Sequence, residues 1–346
     1  MTALRVIACG PMTTLQDAGR RGYERYGVST SGAMDGLALA AANALVRNPP
    51  GGGAVELMLL GGRFRAEGGP VRLVLAGAAG AADVDGRTVG PYRSFLLRPG
   101  ETLTVGPSPE GVYAYLAAAG GFDVPPDLGS VSLHPRAGIG GIGGRPLRAG
   151  DPIPLREGTD PAAGELSLPA EAARLLDRGA SAPLRVVPGP QDDHFTEEGL
   201  AAFLAGEYRV AQEADRMGYR LEGPAVPHRG DYNIVSDGIV TGSVQVPGNG
   251  QPIVLMADRQ TTGGYPKIAT VITPDLRLLA QRRSGAPVRF KAVGMEEAQA
   301  AARERAALLA SLPRLAVPAR RDPPGAEELL ALTLAGAAVD AIGEPG

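Results

Sequence analysis

The sequence predicts a mainly β protein built from two related halves, and three observations lead there. Short apolar runs such as Val71–Ala76, Ser94–Leu97 and Val112–Leu116 are punctuated by 50 glycines and 31 prolines. Helix-periodic segments are few. One eight-residue pattern occurs twice: Gln16-Asp17-Ala18-Gly19-Arg20-Arg21-Gly22-Tyr23 aligns with Gln212-Glu213-Ala214-Asp215-Arg216-Met217-Gly218-Tyr219, with five identities and one Asp/Glu exchange. Each copy follows a run that ends in Gly-Pro, at Gly10-Pro11 and Gly189-Pro190, which points to a duplicated domain. Short strands joined by Gly/Pro turns favour barrels or sandwiches over a parallel α/β sheet.

A chain of 346 residues exceeds one typical domain. The first domain is expected over residues 1–158 and the second over 183–293, with a polar, Ala/Gly/Pro-rich linker over 159–182 and a helical tail over 294–346. In the first half, strands are expected at Val55–Leu60, Val71–Ala76, Ser94–Leu97, Thr102–Val105 and Val112–Ala117. In the second they fall at Leu184–Val187, Glu207–Ala211, Ile239–Val246, Ile253–Ala257, Ile268–Ile272 and Val288–Ala292.

A helix is expected from Met34 to Arg47, its start favoured by Asp35 against the helix dipole. A second opens at Thr196-Glu197-Glu198 with Leu200, Phe203 and Leu204 as its buried stripe, and a short one is expected around Ala170–Leu176. Glu296–Leu312 is strongly helical by propensity. Pro313–Gly325 reads as a flexible segment, followed by a terminal helix at Glu327–Ile342.

Composition excludes several functions. A net charge of -3 offers no footprint for nucleic acid. Cys9 is the single cysteine, so neither an internal disulfide nor a cysteine-based metal site is available. His134, His194 and His228 lie far apart without paired spacing, so each is expected on the surface or in a loop and no metal site is expected. The N-terminus has no apolar stretch of signal-peptide length, and no apolar run reaches the ~18 residues of a membrane span. The expected location is the cytoplasm.

Motifs narrow the field further. Gly138-Ile139-Gly140-Gly141-Ile142-Gly143 fits G-x-G-x-x-G literally, but Leu133-His134-Pro135-Arg136 precedes it and Gly144-Arg145-Pro146 blocks a following helix. It is therefore a glycine-rich loop without a nicotinamide role. Ser29-Thr30-Ser31-Gly32 has no lysine or histidine nearby to activate a hydroxyl, and is expected to cap the Met34 helix.

Arginine fills 32 of the 34 basic positions, so the lysine in Asp258-Arg259-Gln260-Thr261-Thr262-Gly263-Gly264-Tyr265-Pro266-Lys267-Ile268-Ala269 stands out. An ammonium is a compact point charge with a tunable pKa, which a guanidinium is not. If Ile253–Ala257 is a buried strand, Asp258–Tyr265 is the loop at its end, where polar chemistry tends to sit. With lysine this rare, no biotinylated Met-Lys-Met segment occurs, and the chain carries no biotin of its own.

This segment, with Gln245-Val246-Pro247 and Gln251-Pro252-Ile253 around it, resembles the biotin-dependent carboxyltransferase family. The family is also called allophanate hydrolase subunit 2 or kinase-A-inhibitor antagonist, and it includes the C subunit of prokaryotic 5-oxoprolinase. The resemblance extends over Gly10-Pro11, Thr13-Thr14-Leu15-Gln16-Asp17, Gly32-Ala33-Met34-Asp35, Ala119-Gly120-Gly121 and Asp215-Arg216-Met217-Gly218-Tyr219. It implies two cyclophilin-like β-barrels. It also implies partner proteins, the A and B subunits of 5-oxoprolinase, which act with it to cleave 5-oxoproline to glutamate with ATP.

On that resemblance Asp258, Arg259 and Lys267 are the expected catalytic residues. Arg259 and Lys267 suit the charge of phosphoryl transfer, and Asp258 would orient a cation or accept a proton. Gln245, Gln260, Thr261 and Tyr265 would hold an amide substrate through its N–H and C=O. Arg20, Tyr23, Arg216 and Tyr219 are expected to be scaffold retained by the duplication. ATP is expected at the complex, with binding by this chain left open. The same loop serves a second reading, carboxyl transfer from carboxybiotin to urea or a similar amide. A third is a regulatory protein that binds a kinase inhibitor.

Overall fold

The computed structural model describes residues 2–156, 164–176 and 182–319. Their architecture is mainly β, as expected. In the first half two antiparallel sheets pack face to face. One runs in the order Pro152–Pro154, Ala3–Cys9, Gly62–Glu67, Thr102–Val105, Ala82–Val84, Arg87–Val89. The other runs Thr14–Gln16, Ala54–Met58, Tyr113–Ala118, Val71–Gly77, Ser94–Leu97. Leu4, Phe64, Leu73, Leu75, Leu103 and Leu116 fill the space between them.

The second half folds into one eight-stranded sheet. Its order is Pro287–Val288, Tyr208–Val210, Gly218–Glu222, Ile253–Leu255, Ser243–Gln245, Lys267–Val271, Leu184–Pro188, Phe290–Ala292. The outermost strands are separated in sequence by Arg289 alone, and the Arg289 carbonyl accepts from the Leu184 amide at 2.8 Å. The two edges are thereby brought together and the sheet nearly closes, which removes most of its exposed edge.

Five helices stand among the described residues. The first, α1 (Gly36–Leu45), is capped by Asp35, whose carboxylate accepts from the Leu37 and Ala38 amides. Every residue from Leu37 to Leu45 is buried. One side of the Tyr113–Ala118 strand (Tyr113, Tyr115, Ala117) faces α1 and the second-half core, while Ala114, Leu116 and Ala118 face the first-half core. That strand is buried on both faces, which is why it reads as a continuous apolar run. The others are α2 (Ala170–Leu176), α3 (Glu197–Ala205), α4 (Leu276–Ala280) and α5 (Met295–Leu315). The two halves therefore rest on a shared core that runs through α1.

Several expectations change. The cap of α1 is the Asp35 carboxylate and not the Ser29–Ser31 turn, whose serine hydroxyls have no hydrogen-bond partner among the described residues. Leu204 is 39% exposed: in α3 it is Phe203 that packs on Phe290, with ring centroids 4.5 Å apart, and the next residue turns about 100° away. Within Ile239–Val246 only Ser243–Gln245 is strand, because Gly242 turns the chain at φ 95°. His134 lies in a loop, as expected, and is buried there at 8% exposure, its Nδ1 accepting from the Ala137 amide. Pro313 does not begin a flexible segment: α5 continues to Leu315, and Val317–Pro318 pairs with Leu166–Ser167. Glu327–Ile342 lies outside the described residues.

Candidate active site

The first turn of the site is set by backbone. The Ile253–Leu255 strand delivers Met256, Ala257 and Asp258 to the boundary between the halves. There the Asp258 amide donates to the Arg216 carbonyl at 2.8 Å, and the Ser31 amide donates to the Ala257 carbonyl at 3.1 Å. The Arg20 amide in turn donates to the Thr30 carbonyl at 2.8 Å. Both copies of the duplicated motif thus reach the same seam as Asp258.

Arg216 sits at the centre of that seam. Its Nε and Nη2 donate to the two Asp258 carboxylate oxygens at 2.7 and 3.0 Å, Nη1 donates to Glu56 at 2.6 Å, and Nη2 also donates to the Gly32 carbonyl at 2.8 Å. Glu56 is completed by the Tyr115 hydroxyl at 2.7 Å and the Met34 amide at 3.0 Å. Arg216, Glu56 and Asp258 are all buried. Burial opposes the Arg216 charge, but Asp258 and Glu56 more than offset it and hold its pKa well above the usual value. Burial also raises the pKa of Tyr115, with Glu56 and Asp35 adding to the effect.

Around this network lie donors with no partner among the described residues. Arg259 is 2% exposed and donates one Nη2 bond to Glu24, while its Nε and Nη1 have none. Arg20, also buried, donates to the Ser132 carbonyl and likewise leaves Nε and Nη1 unpartnered. The Ser29 and Ser31 hydroxyls are in the same state. Burial lowers the Arg20 pKa, with Asp17, Asp127 and Asp258 acting against that shift. Buried polar groups are ordinarily hydrogen-bonded. Two guanidinium groups and two hydroxyls at this seam thus keep unused donors of the kind that suit an anionic or carbonyl oxygen.

The remaining expected residues gather elsewhere on the same loop. The Lys267 ammonium donates to Asp237 at 2.6 Å and to the Gly238 carbonyl at 2.9 Å. Gln191 bridges the two, accepting from the Lys267 amide and donating to Asp237. Lys267 and the adjacent hydrogen bonds hold the Asp237 pKa down to about 2. Gln245 lies opposite Lys267 in the sheet and donates to the Tyr265 carbonyl at 3.2 Å. Tyr265 is 40% exposed, Gln260 is exposed, and the half-buried Thr261 accepts the Ile239 amide at its carbonyl. Among the described residues no hydrogen bond or ion pair joins Lys267 to Asp258 or Arg259.

The structure therefore divides the expected residues. Asp258 and Arg259 meet the first half at the seam, while within the second half Lys267 pairs with Asp237 and Gln245 donates to the Tyr265 carbonyl. Arg216 and Arg20, read from sequence as scaffold, stand in contact with or beside the seam residues. Glu56, Glu24, Ser29 and Ser31 complete it. The duplicated arginine was the available signal for the first pair, and a lone acid inside Ala54–Met58 was the signal for Glu56. No group of three or more His, Cys, Asp or Glu among the described residues could hold a metal ion.

The family model described as "Carboxyltransferase domain, subdomain A and B" matches residues 26–292. The chain belongs to this carboxyltransferase family. It is 39% identical over 297 residues to the C subunit of 5-oxoprolinase from Escherichia coli (strain K12), covering 85% of this chain and 93% of that protein. Among solved structures it resembles TTHA0988 at TM-score 0.74 and 38% identity, over 84% of this chain and 55% of that one. It spans only about half the length of TTHA0988. The K. lactis urea amidolyase aligns at TM-score 0.82 and 25% identity, over 93% of this chain and 21% of that one. The family match takes in the Asp258–Lys267 loop, Arg216 and Glu56, whereas Arg20 and all of α5 lie outside it.

Proposed function

We propose that this chain is the C subunit of an ATP-dependent 5-oxoprolinase, acting in the cytoplasm with the A and B subunits to open 5-oxoproline to L-glutamate. The observation that carries the reading is the seam, where Asp258 and Arg259 of one half meet Arg20, Ser29 and Ser31 of the other around unpartnered buried donors. The substrate is a lactam bearing a carboxylate, so it presents oxygens to such donors at two places. A lactam carbonyl is unreactive, and phosphorylating its oxygen with ATP makes the carbon open to water. Phosphoryl transfer depends chiefly on positioning and charge neutralisation. On this chain the Arg20 and Arg259 guanidinium groups suit a phosphoryl or carboxylate oxygen. Lys267 would serve as the further cation once its Asp237 pair opens. ATP itself is assigned to the assembled complex.

Likeness to the urea amidolyase supports a second reading, in which the same donors hold a urea-like amide during carboxyl transfer from carboxybiotin. Co-expression of all three proteins of the complex separates the two. ATP-dependent release of glutamate from 5-oxoproline is the expected result. Carboxylation of urea by carboxybiotin, without lactam turnover, would replace the first reading with the second. An assembled complex inert on both would support the regulatory reading.

A further inference from the structure

A cavity of about 370 Å³ lies where three parts of the chain meet. Gly32–Met34 and the start of α1 form one wall, Met256-Ala257 and Thr273–Arg277 another, and Arg305 and Leu309 of α5 the third. None of Asp258, Arg259 and Lys267 lines it. Its size falls within the range of small-molecule sites.

The cavity has three guanidinium groups, from Arg21, Arg277 and Arg305. Arg277 is compensated: its Nε donates to Asp35 at 3.1 Å and its Nη2 to the Leu176 carbonyl. Asp17, the one carboxylate on the wall, already accepts from the Ser130 and Ser132 hydroxyls and the Gly19 and Val131 amides. Arg21 and Arg305 have no hydrogen bond or ion pair among the described residues, which leaves two guanidinium groups available to a ligand on a wall where Asp17 carries the one carboxylate.

Arg305 is also misplaced for an ordinary surface cation. It occupies the stripe of α5 that carries Ala301, Leu309 and Leu312, residues spaced three or four apart on one helical face. Ala301 and Leu312 are 5% and 1% exposed. Burial lowers the Arg305 pKa, Asp35 opposes this, and Arg277 and Arg21 lower it further, so the three cations face one another. An arginine whose stem covers apolar surface normally sends its head to water. Here the head borders a cavity instead.

The rest of the lining is an apolar wall of Met34, Leu39, Met256, Leu276 and Leu309, with Ser31, Thr241 and Thr273 beside it. An inorganic anion would leave those walls uncovered. We propose that this cavity binds a small organic dianion, a dicarboxylate with a short methylene body, whose two charges pair with Arg21 and Arg305 and whose body covers the apolar wall. The site depends on α5, beyond the segment that matches the family model, and it adjoins the seam, with Ser31 and Ala257 common to both.

The test uses the purified full-length chain titrated calorimetrically with glutarate, butyrate or inorganic phosphate. Glutarate is expected to bind saturably, with butyrate and phosphate each weaker by roughly tenfold or more, since each lacks part of the match. Arg305→Gln is expected to weaken glutarate roughly 10- to 100-fold. Arg21→Gln, at an exposed position that leaves the fold intact, is expected to act in the same direction. Absence of saturable glutarate binding to the wild-type chain overturns the proposal. So does phosphate binding as tightly as glutarate, or unchanged affinity in Arg21→Gln or in an Arg305→Gln variant with wild-type circular dichroism. None of these readouts involves lactam turnover, so failure here and failure of the 5-oxoprolinase reading are separate results.

Discussion

Arg216 and Asp258 meet through paired hydrogen bonds at 2.7 and 3.0 Å, with their side chains only 3% and 4% exposed. The same guanidinium reaches Glu56 in the other half. One side chain thus joins the candidate catalytic loop to the first half, and the halves are held in register by charge as well as by the α1 core. Removing one member of a buried pair leaves a desolvated charge behind, at a cost of about 3–5 kcal/mol. Asp258→Ala is therefore expected to lose stability by that amount in urea unfolding. A loss below about 1 kcal/mol, the size of an average substitution, would show that Glu56 alone satisfies Arg216.

Lys267 offers a different test, because its ammonium is paired within one half. Lys267→Arg keeps the positive charge opposite Asp237 and is expected to retain the far-UV circular dichroism of the wild type. A guanidinium does not reproduce a compact ammonium at a reacting oxygen. Lactam turnover by the assembled complex is expected to fall roughly 100-fold, the scale of losing one charge-stabilising donor. Wild-type turnover in this variant would reduce Lys267 to a clamp on the Asp237–Gly238 strand.

Asp237 carries a pH signature. Its pKa is depressed to about 2 by Lys267, Gln191 and the Gly238 amide. A depressed carboxylate pKa contributes stability above its unfolded value, and that contribution is lost as pH falls toward the folded value. The difference in urea midpoint between wild type and Asp237→Asn should be constant near neutrality. It should shrink as pH drops through the ordinary carboxylate range toward about 2. A difference that does not change across that window would mean the pair contributes nothing in solution, as many exposed ion pairs do.

Gly140 makes the glycine-rich loop a structural partner of Arg20. It adopts φ +79°, and a Cβ there would lie 2.0 Å from the Ser132 carbonyl oxygen and 2.8 Å from Arg20 Nη2. Gly140→Ala faces about 1–3 kcal/mol from backbone conformation alone, with the collision added. A thermal midpoint lowered by several degrees is the expected outcome, and an unchanged midpoint would show that the loop yields freely.

Much of the fold was legible along the chain. Ala170–Leu176 is helical over the stretch expected, and Ser94–Leu97 and Thr102–Val105 are strands with the same bounds. Asp35 caps α1 because an acceptor before an alanine-rich run satisfies free amides. Leu204 and Ile239 misled for a local reason: apolar character shows a preference for burial without saying which neighbour supplies it. The site was partly legible. Rarity drew attention to Lys267, yet its partner is Asp237, which no spacing rule singles out.

The sequence by itself determined the β-rich composition, the duplication and the polar loop at the end of the Ile253–Leu255 strand, because those are properties of neighbours along the chain. Only the tertiary structure decided which charges meet. Glu56 and Arg216 are 160 residues apart, Glu24 and Arg259 are 235, and Asp35 and Arg277 are 242. Local pattern encodes how each strand buries itself. It carries no information on which distant carboxylate a buried guanidinium will find, and that choice is made when the two halves close over their shared core.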